Sequence, residues 1–371
     1  MQIDPFVVRC GVAASGSIIR SRQRQMKDHP HVDRRLLGQN NEPMPDASEK
    51  RGSAEWRTLY PFESHWLDIP GGRMHYLDER PNAGPGDQYD STLLFVHGNP
   101  TWSFHWRQLI EALRSRFRCV ALDHLGCGLS AKPQVADRPW RTALTLDDHV
   151  GNLCALIGQL DLRNVTLVAQ DWGGAIGLDA MLRQPQRLAR IVLFNTGAFT
   201  PRYIPWRIRA CRLPIVGRLA VQGGNVFSRA ALRMTLARQK RLEPAVAAGY
   251  LAPYDSWAHR RAVYEFVRDI PSGPGHPTWA TLMDIERKLP TLADRPALLA
   301  WGMRDWCFRP DCLERFVAAW PRAEIHRLED IGHWVVEDAP DESLELVERF
   351  LAKTENVQHR DTEVTEKINS L

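Results

Sequence analysis

An aspartate near the middle of the chain lies between an apolar run and a glycine-rich segment. The run from Val165 to Ala169 is short and rich in β-branched residues, which is typical of a strand buried in a parallel sheet. Asp171 follows two residues later. The three glycines behind it allow a sharp turn and close packing of the next helix: Gly173, Gly174 and Gly177. This pattern predicts a nucleophile elbow that raises Asp171 above the sheet at the amino end of a helix.

A carboxylate at this position can act as a nucleophile without help from a base. Aspartate has a reference pKa of about 3.9 and is therefore ionised at neutral pH. A carboxylate can displace a leaving group from a saturated carbon and form an alkyl ester, which water then hydrolyses. The alternative interpretation is that Asp171 only caps the helix that begins at Trp172.

Two further polar residues follow predicted strands late in the chain. Asp305 lies just beyond the apolar strand predicted for Ala297 to Trp301, and His333 lies just beyond the strand predicted for Glu324 to Leu328. The chain order nucleophile, acid, histidine is the order of an α/β-hydrolase triad. We therefore predict that Asp171, Asp305 and His333 are catalytic, that His333 activates water, and that Asp305 orients the imidazole.

Together with His97-Gly98-Asn99-Pro100 and Asp171-Trp172-Gly173-Gly174, these residues resemble the haloalkane dehalogenase branch of the α/β-hydrolase family. The resemblance covers roughly residues 56–352. It implies an α/β-hydrolase fold, with a mostly parallel, doubly wound sheet and an inserted helical cap. It also implies that the side-chain N–H groups of Asn99 and Trp172 bind the departing halide, and that their backbone N–H groups form the oxyanion hole.

The same resemblance leaves the substrate open. Some members of the branch carry the triad acid directly after the strand that follows the elbow helix, but Phe194-Asn195-Thr196-Gly197 contains no carboxylate, which places the acid at Asp305. The resulting set of five residues is shared with β-lactone decarboxylases of olefin synthesis. We expect a hydrolytic haloalkane dehalogenase first, with cis-β-lactone decarboxylation as the alternative. An epoxide hydrolase would need cap tyrosines, for which the chain offers Tyr203, Tyr250, Tyr254 and Tyr264.

Alternation of strands and helices predicts the supporting architecture. Residues 56–197 and 290–352 are predicted to form the α/β core, with strands at Thr92 to Val96, Arg118 to Leu122 and Ile191 to Asn195. Residues 198–289 contain no convincing strand and are predicted to form a helical cap over the carboxyl edge of the sheet, with a helix from Ser228 to Leu242. A closing helix is predicted from Pro340 to Leu351. Residues 1–55 and 353–371 are predicted to be mobile extensions.

Composition narrows the range of partners. The formal net charge is +4 and basic residues are interleaved with acids, which argues against nucleic-acid binding. The seven cysteines show no zinc-binding spacing, so we expect a reduced cytoplasmic protein without a structural metal. The resemblance implies no cofactor and a small apolar substrate. Five motif-flanking aromatic residues suit such a substrate: Trp102, Trp106, Trp306, Phe308 and Trp334. Residues 201–218 alternate arginines with apolar residues and form either a cap helix or a membrane- or partner-binding surface.

Overall fold

A computed structural model describes residues 55–81, 91–133 and 144–369, with side chains through residue 355. The N-terminal extension predicted for residues 1–55 lies outside this part of the chain, apart from residue 55 itself. Among the described residues, no helix combines the length and the apolar composition that a membrane span requires.

In the part of the chain that the structure describes, eight strands, numbered β1 to β8 in chain order, form one sheet in the order β1-β2-β4-β3-β5-β6-β7-β8. Two pairs of neighbouring strands, β1 with β2 and β2 with β4, are antiparallel, and all other neighbouring strands are parallel. The mostly parallel sheet is therefore confirmed. Its strands are β1 (His65–Ile69), β2 (Gly72–Glu79), β3 (Thr92–Val96), β4 (Arg118–Leu122), β5 (Val165–Asp171), β6 (Leu188–Thr196), β7 (Ala297–Gly302) and β8 (Glu324–Leu328).

Helices cover both faces of the sheet, as a doubly wound fold requires. They are α1 (Glu55–Thr58), α2 (Arg107–Leu113), α3 (Leu146–Gln159), α4 (Trp172–Arg183), α5 (Trp206–Cys211), α6 (Val216–Arg218), α7 (Val226–Met234), α8 (Pro244–Leu251), α9 (Arg261–Asp269), α10 (Pro277–Lys288), α11 (Pro310–Ala319), α12 (Val335–Asp338) and α13 (Pro340–Asn369).

The central strands are buried on both faces because their side chains alternate between two apolar clusters. In β3, Leu94 and Val96 join the cluster formed with α3, α4 and α11, whereas Leu93 and Phe95 join the cluster formed with α2, α12 and α13. This period of two accounts for the unbroken apolar runs in the sequence. Helix α3 is fixed at its start by a capping box between Thr145 and Asp148.

Six helices, α5 to α10, lie between β6 and β7 where the sequence predicts the cap. The helix expected from Ser228 to Leu242 is shorter, because α7 ends at Met234 and the backbone N–H groups of residues 237–239 donate to the carboxylate of Asp338 instead. The closing helix, α13, is longer than the sequence predicts. It continues beyond Lys353, where the sequence predicts a mobile tail, as far as Asn369.

Candidate active site

Asp171 ends strand β5 and precedes helix α4 with φ 53° and ψ −131°, a conformation that non-glycine residues rarely adopt. Three glycines make this turn possible by letting backbone and side chains approach closely. A Cβ atom would lie 2.2 Å from the Asp171 carboxylate if built on Gly98, 2.0 Å from the Val96 carbonyl oxygen on Gly173, and 2.0 Å from the Thr196 hydroxyl on Gly174. The predicted elbow is therefore present in the structure.

The structure brings the three predicted catalytic residues together. His333 Nε2 lies 3.5 Å from Asp171 Oδ2, and His333 Nδ1 lies 2.7 Å from Asp305 Oδ2. His333 and Asp305 are buried, and Phe308 stacks on the imidazole with ring centroids 5.5 Å apart. The histidine thus contacts one carboxylate through each ring nitrogen.

Asp305 is held by donors that leave it pointing at His333. The backbone N–H of Cys307 donates to Asp305 Oδ1 at 2.6 Å, and Asn195 Nδ2 donates to Asp305 Oδ2 at 3.0 Å. Asn195 is itself fixed to both backbone groups of Gly302. The end of β6 carries no acid, but it supplies the Asn195 amide that orients Asp305, which follows the neighbouring strand β7.

The charges around His333 determine its protonation. Burial alone would lower the pKa of this imidazole, but the adjacent Asp305 and Asp171 carboxylates raise the pKa to about 10. At neutral pH the resting site therefore contains an imidazolium between two carboxylates. Esterification of Asp171 would remove one of these charges and reduce the upward shift of the His333 pKa.

Asn99 and Trp172 are both neighbours of Asp171, Asn99 through a hydrogen bond and Trp172 as the next residue in the chain. The backbone N–H of Asn99 donates to Asp171 Oδ1 at 2.7 Å, and the Asn99 side-chain Nδ2 donates to the Val263 carbonyl of the cap at 3.2 Å. Since an amide nitrogen carries two hydrogens, one N–H remains for a ligand. The Trp172 indole N–H has no hydrogen-bond partner among the described residues, although its ring packs against Phe266.

A cavity of about 400 Å³ lies over these groups, and Asn99, Asp171, Trp172 and His333 all line it. Most of its remaining wall is apolar and comes from both core and cap, including Phe199, Tyr203, Ile204, Trp206, Phe227, Trp306 and Phe308. Trp206 is also 68% exposed, so the cavity reaches the surface beside it.

Comparison with known proteins agrees with this geometry. The matching family model describes the alpha/beta hydrolase fold and covers residues 91–340. A cis-3-alkyl-4-alkyloxetan-2-one decarboxylase from Shewanella oneidensis is 37% identical over 304 residues, which are 81% of this chain and 92% of that protein. Haloalkane dehalogenase 2 from Mycobacterium tuberculosis is 36% identical over 297 residues, which are 79% of this chain and 96% of that protein.

The haloalkane dehalogenase DatA from Agrobacterium tumefaciens has a similar structure, with a TM-score of 0.68 at 27% identity over 79% of this chain and 97% of that chain. The chain belongs to the haloalkane dehalogenase branch of the α/β-hydrolase family. It is an enzyme of this kind.

The cap tyrosines of this α/β-hydrolase do not form the acid pair that an epoxide hydrolase would need. Only Tyr203 lines the cavity. The hydroxyl groups of Tyr250, Tyr254 and Tyr264 donate elsewhere, to Glu337, the Thr101 carbonyl and the Pro214 carbonyl respectively.

The expectation that five aromatic residues flanking the motifs suit an apolar substrate needs correction for three of them. Trp306 and Phe308 line the cavity, but Trp102, Trp106 and Trp334 are buried in the apolar cluster on one face of the sheet. These three tryptophans pack in the same cluster as apolar residues of α2, α12 and α13. The aromatic wall of the cavity comes instead from cap residues that no motif marks, such as Trp206 and Phe227.

Sequence reasoning also missed residues that hold the His333 loop. Gln170, next to Asp171 in the chain, donates through Nε2 to the His333 carbonyl and contacts His105 through Oε1. His105 in turn contacts the Tyr250 hydroxyl at 2.7 Å, and burial lowers the pKa of His105 to about 3, which keeps it neutral. The only signal for Gln170 in the sequence is its position beside Asp171.

Asp338 provides a second support for the same loop. Its buried carboxylate accepts from the backbone N–H of Gly332 at 2.8 Å, and also from the N–H groups of Ala237, Arg238 and Gln239 at 2.7–3.1 Å. The loop that carries His333 is therefore fastened to the segment that follows cap helix α7.

Proposed function

We propose that this enzyme opens and decarboxylates a cis-β-lactone that carries long alkyl chains, using Asp171 as the nucleophile. The observation that carries this proposal is the cavity. Its volume of about 400 Å³ lies within the range of roughly 300 to 1,000 Å³ that buries drug-sized ligands, and its wall is mainly apolar. Such a space suits a four-membered ring with two alkyl substituents, and proteins named for this reaction are 37% identical to the chain.

The first step forms one bond and breaks one bond. An Asp171 oxygen attacks the saturated ring carbon that bears the ring oxygen, from the side opposite that oxygen, and the bond between this carbon and the ring oxygen breaks to release a carboxylate. We infer that the remaining N–H groups of Asn99 and Trp172 donate to this departing carboxylate, as they would to a halide. The product of the step is an alkyl ester on Asp171, and no atom has been lost.

The second step releases carbon dioxide. Attack from the opposite face leaves the Asp171 oxygen anti to the new carboxylate, so elimination needs no rotation. The carbon–carbon bond to the carboxylate breaks, its electrons form the alkene, and Asp171 leaves as a carboxylate. Inversion followed by anti elimination keeps the two alkyl groups on the same side, so a cis-lactone should yield a cis-alkene.

His333 suits this route because its imidazolium faces the oxygen that leaves. The raised pKa keeps the ring charged at neutral pH, and a positive charge beside Asp171 stabilises the carboxylate that re-forms in the second step. In the lactone route the carboxylate released from the ring replaces the negative charge that Asp171 loses on esterification, so the imidazolium persists. An imidazolium cannot take a proton from water, which disfavours hydrolysis of the ester. Asp305 keeps the ring oriented through Nδ1.

A second candidate is hydrolytic dehalogenation, which the unpartnered Trp172 indole N–H favours because it can donate to a free halide. In that reaction Asp171 displaces the halide, and the loss of its charge on esterification lowers the His333 pKa until the imidazole can activate water. The ester then yields an alcohol.

Product analysis distinguishes the two reactions. Purified protein is incubated with a cis-β-lactone that carries two long alkyl chains and, separately, with a terminal bromoalkane of medium length. We expect carbon dioxide and cis-alkene in equal amounts from the lactone, with slower bromide release. Rapid bromide release with no alkene would reject decarboxylation in favour of dehalogenation, and Asp171→Asn should abolish either reaction.

A further inference from the structure

The start of the cap has an unusual charge distribution. From residue 198 to residue 242 the chain contains ten basic residues and no acidic residue. Four of the arginines are exposed around helices α5 and α6: Arg202, Arg207, Arg209 and Arg218. None of these four pairs with a carboxylate in the described part of the chain.

Large apolar side chains are exposed among these arginines. Ile215 is 74% exposed, Trp206 68% and Val216 61%. Leu219 and Leu213 are more than half exposed as well. We call these five apolar residues and the four arginines the cap patch. Neighbouring exposed apolar side chains of this size usually mark an interaction surface.

The helices that carry the cap patch are packed against each other and against α9. A Cβ atom on Gly217 would lie 2.0 Å from the Cys211 carbonyl oxygen, so α5 and α6 pack closely at this glycine. The Tyr264 hydroxyl of α9 donates to the Pro214 carbonyl between the two helices at 3.2 Å. Trp206 and Arg207 also line the cavity, which places the cap patch beside the cavity opening.

We propose that the cap patch docks on the surface of an anionic lipid bilayer. A bilayer matches both parts of the patch, because aliphatic side chains can enter the interface while arginines remain with the phosphate headgroups. The lack of acidic residues from 198 to 242 removes the repulsion that an anionic surface would otherwise cause. The proposal does not depend on which reaction the enzyme catalyses.

Vesicle co-sedimentation of the full chain tests this proposal. We expect binding to vesicles of phosphatidylcholine and phosphatidylglycerol in equal parts, weaker binding to pure phosphatidylcholine, and release by salt because screening shortens the reach of the charges. The double variant Ile215→Ser with Leu219→Ser should bind about tenfold more weakly, since two aliphatic side chains are lost from the interface. Arg209→Gln with Arg218→Gln should lose affinity on the order of tenfold for the anionic vesicles alone.

Matched controls keep the result specific. Met283→Ser removes an exposed apolar side chain outside the patch, and Arg163→Gln removes an exposed arginine from the loop that precedes β5, at the amino end of the sheet's central strand. Both should bind like the native protein. Brominated acyl chains should quench native fluorescence more than that of Trp206→Phe.

Three results would overturn the proposal. These are no binding to anionic vesicles, equal binding by the patch variants and the native chain, or a dimer that the Ile215→Ser and Leu219→Ser changes convert to monomer. The last result would assign the patch to a second copy of the chain.

Discussion

His333 contacts two carboxylates, and this sets the direction of a pH effect on stability. Asp305 and Asp171 raise its pKa to about 10 despite burial, whereas a histidine in the unfolded chain has a pKa of about 6.5. Between these values the folded protein holds a proton that the unfolded chain releases. The stabilisation is therefore complete below about pH 6.5 and is lost as the pH rises through about 10.

We expect the free energy of unfolding to fall more steeply with rising pH in the native protein than in His333→Gln. Urea unfolding at a series of pH values between neutral and alkaline measures the two slopes. His65→Gln, which removes a histidine at the sheet edge far from the site motifs in sequence, serves as the control and should keep the native slope. Parallel curves for native protein and His333→Gln would show that His333 is not a retained imidazolium.

The N–H groups of Asn99 and Trp172 can be tested without emptying the cavity. Trp172→Phe keeps an aromatic ring and removes only the indole N–H. A hydrogen bond to a charged group contributes about 1.5 to 3 kcal/mol, so loss of either donor should lower kcat roughly ten- to hundredfold. Trp102→Phe removes an indole N–H that donates to the Gly249 carbonyl outside the cavity, and it should leave kcat unchanged. Equal rates for Trp172→Phe and the native enzyme would exclude the indole as a donor.

At the level of single residues, local sequence was sufficient where the chemistry is local. The proximity of Asp171, Asp305 and His333 could be predicted, because glycines adjacent in the chain mark the turn at Asp171 and because Asp305 and His333 each follow a predicted strand of the same sheet. Gln170, Asn195 and His105 could not be recognised in this way. Their contacts join residues 65 to 163 positions apart, and an amide or a neutral histidine has no distinctive pattern of neighbours.

The element that positions His333 is the loop between β8 and α12, and Asp338 fastens it. Asp338→Asn replaces one carboxylate oxygen by an N–H group that faces backbone donors, so we expect a loss of roughly 2 to 4 kcal/mol in the free energy of unfolding, from hydrogen bonds to a buried charge. Because the Gly332 N–H is among these donors, kcat should also fall.

Asp341→Asn is the matched control, since this residue lies in the first turn of α13 and is exposed. Chemical unfolding and steady-state kinetics report the two effects separately. If Asp338→Asn unfolds like the native protein and retains kcat, the loop is held by other contacts.

Element boundaries show where sequence reasoning ends. Strands β3 and β4 begin and end where the apolar runs predict, because burial between two helical layers requires such runs. Strand β8, at the sheet edge and only partly buried, also has its predicted bounds. Helix α7 ends eight residues early, since Asp338, 101 positions away from Ala237, competes for the backbone N–H groups that the helix would need. No local pattern reveals that competition.

At the scale of the whole molecule, the cap determines how much substrate the site can hold. Ala230 of α7 lines the cavity, and Ala230→Trp would fill part of its volume. We expect kcat/KM to fall for lactones with long alkyl chains and to change little for short ones. Ala318→Trp adds the same side chain on the exposed face of α11 and should leave both values unchanged. A uniform loss for all chain lengths would indicate damage to the site rather than a smaller cavity.

The α/β architecture was predictable as a whole, but the cavity was not. Alternating strands and helices determine the sheet, and the long strand-free stretch before β7 indicates a cap. The wall of the cavity depends on how short cap helices pack on the core. That is why Trp206 and Phe227 line it, whereas Trp102, Trp106 and Trp334, which stand closer to the motifs in sequence, do not.

The most direct test of the central claim is the intact mass of His333→Gln after incubation with a long-chain cis-β-lactone. Without the imidazolium, elimination should slow and the ring-opened ester should accumulate. We predict a mass increase equal to the whole lactone, located on the peptide that contains Asp171, resistant to hydroxylamine and absent from Asp171→Asn. An unmodified Asp171 peptide in an inactive His333→Gln protein, or an adduct that hydroxylamine removes at once, would contradict attack by Asp171 on the alkyl carbon.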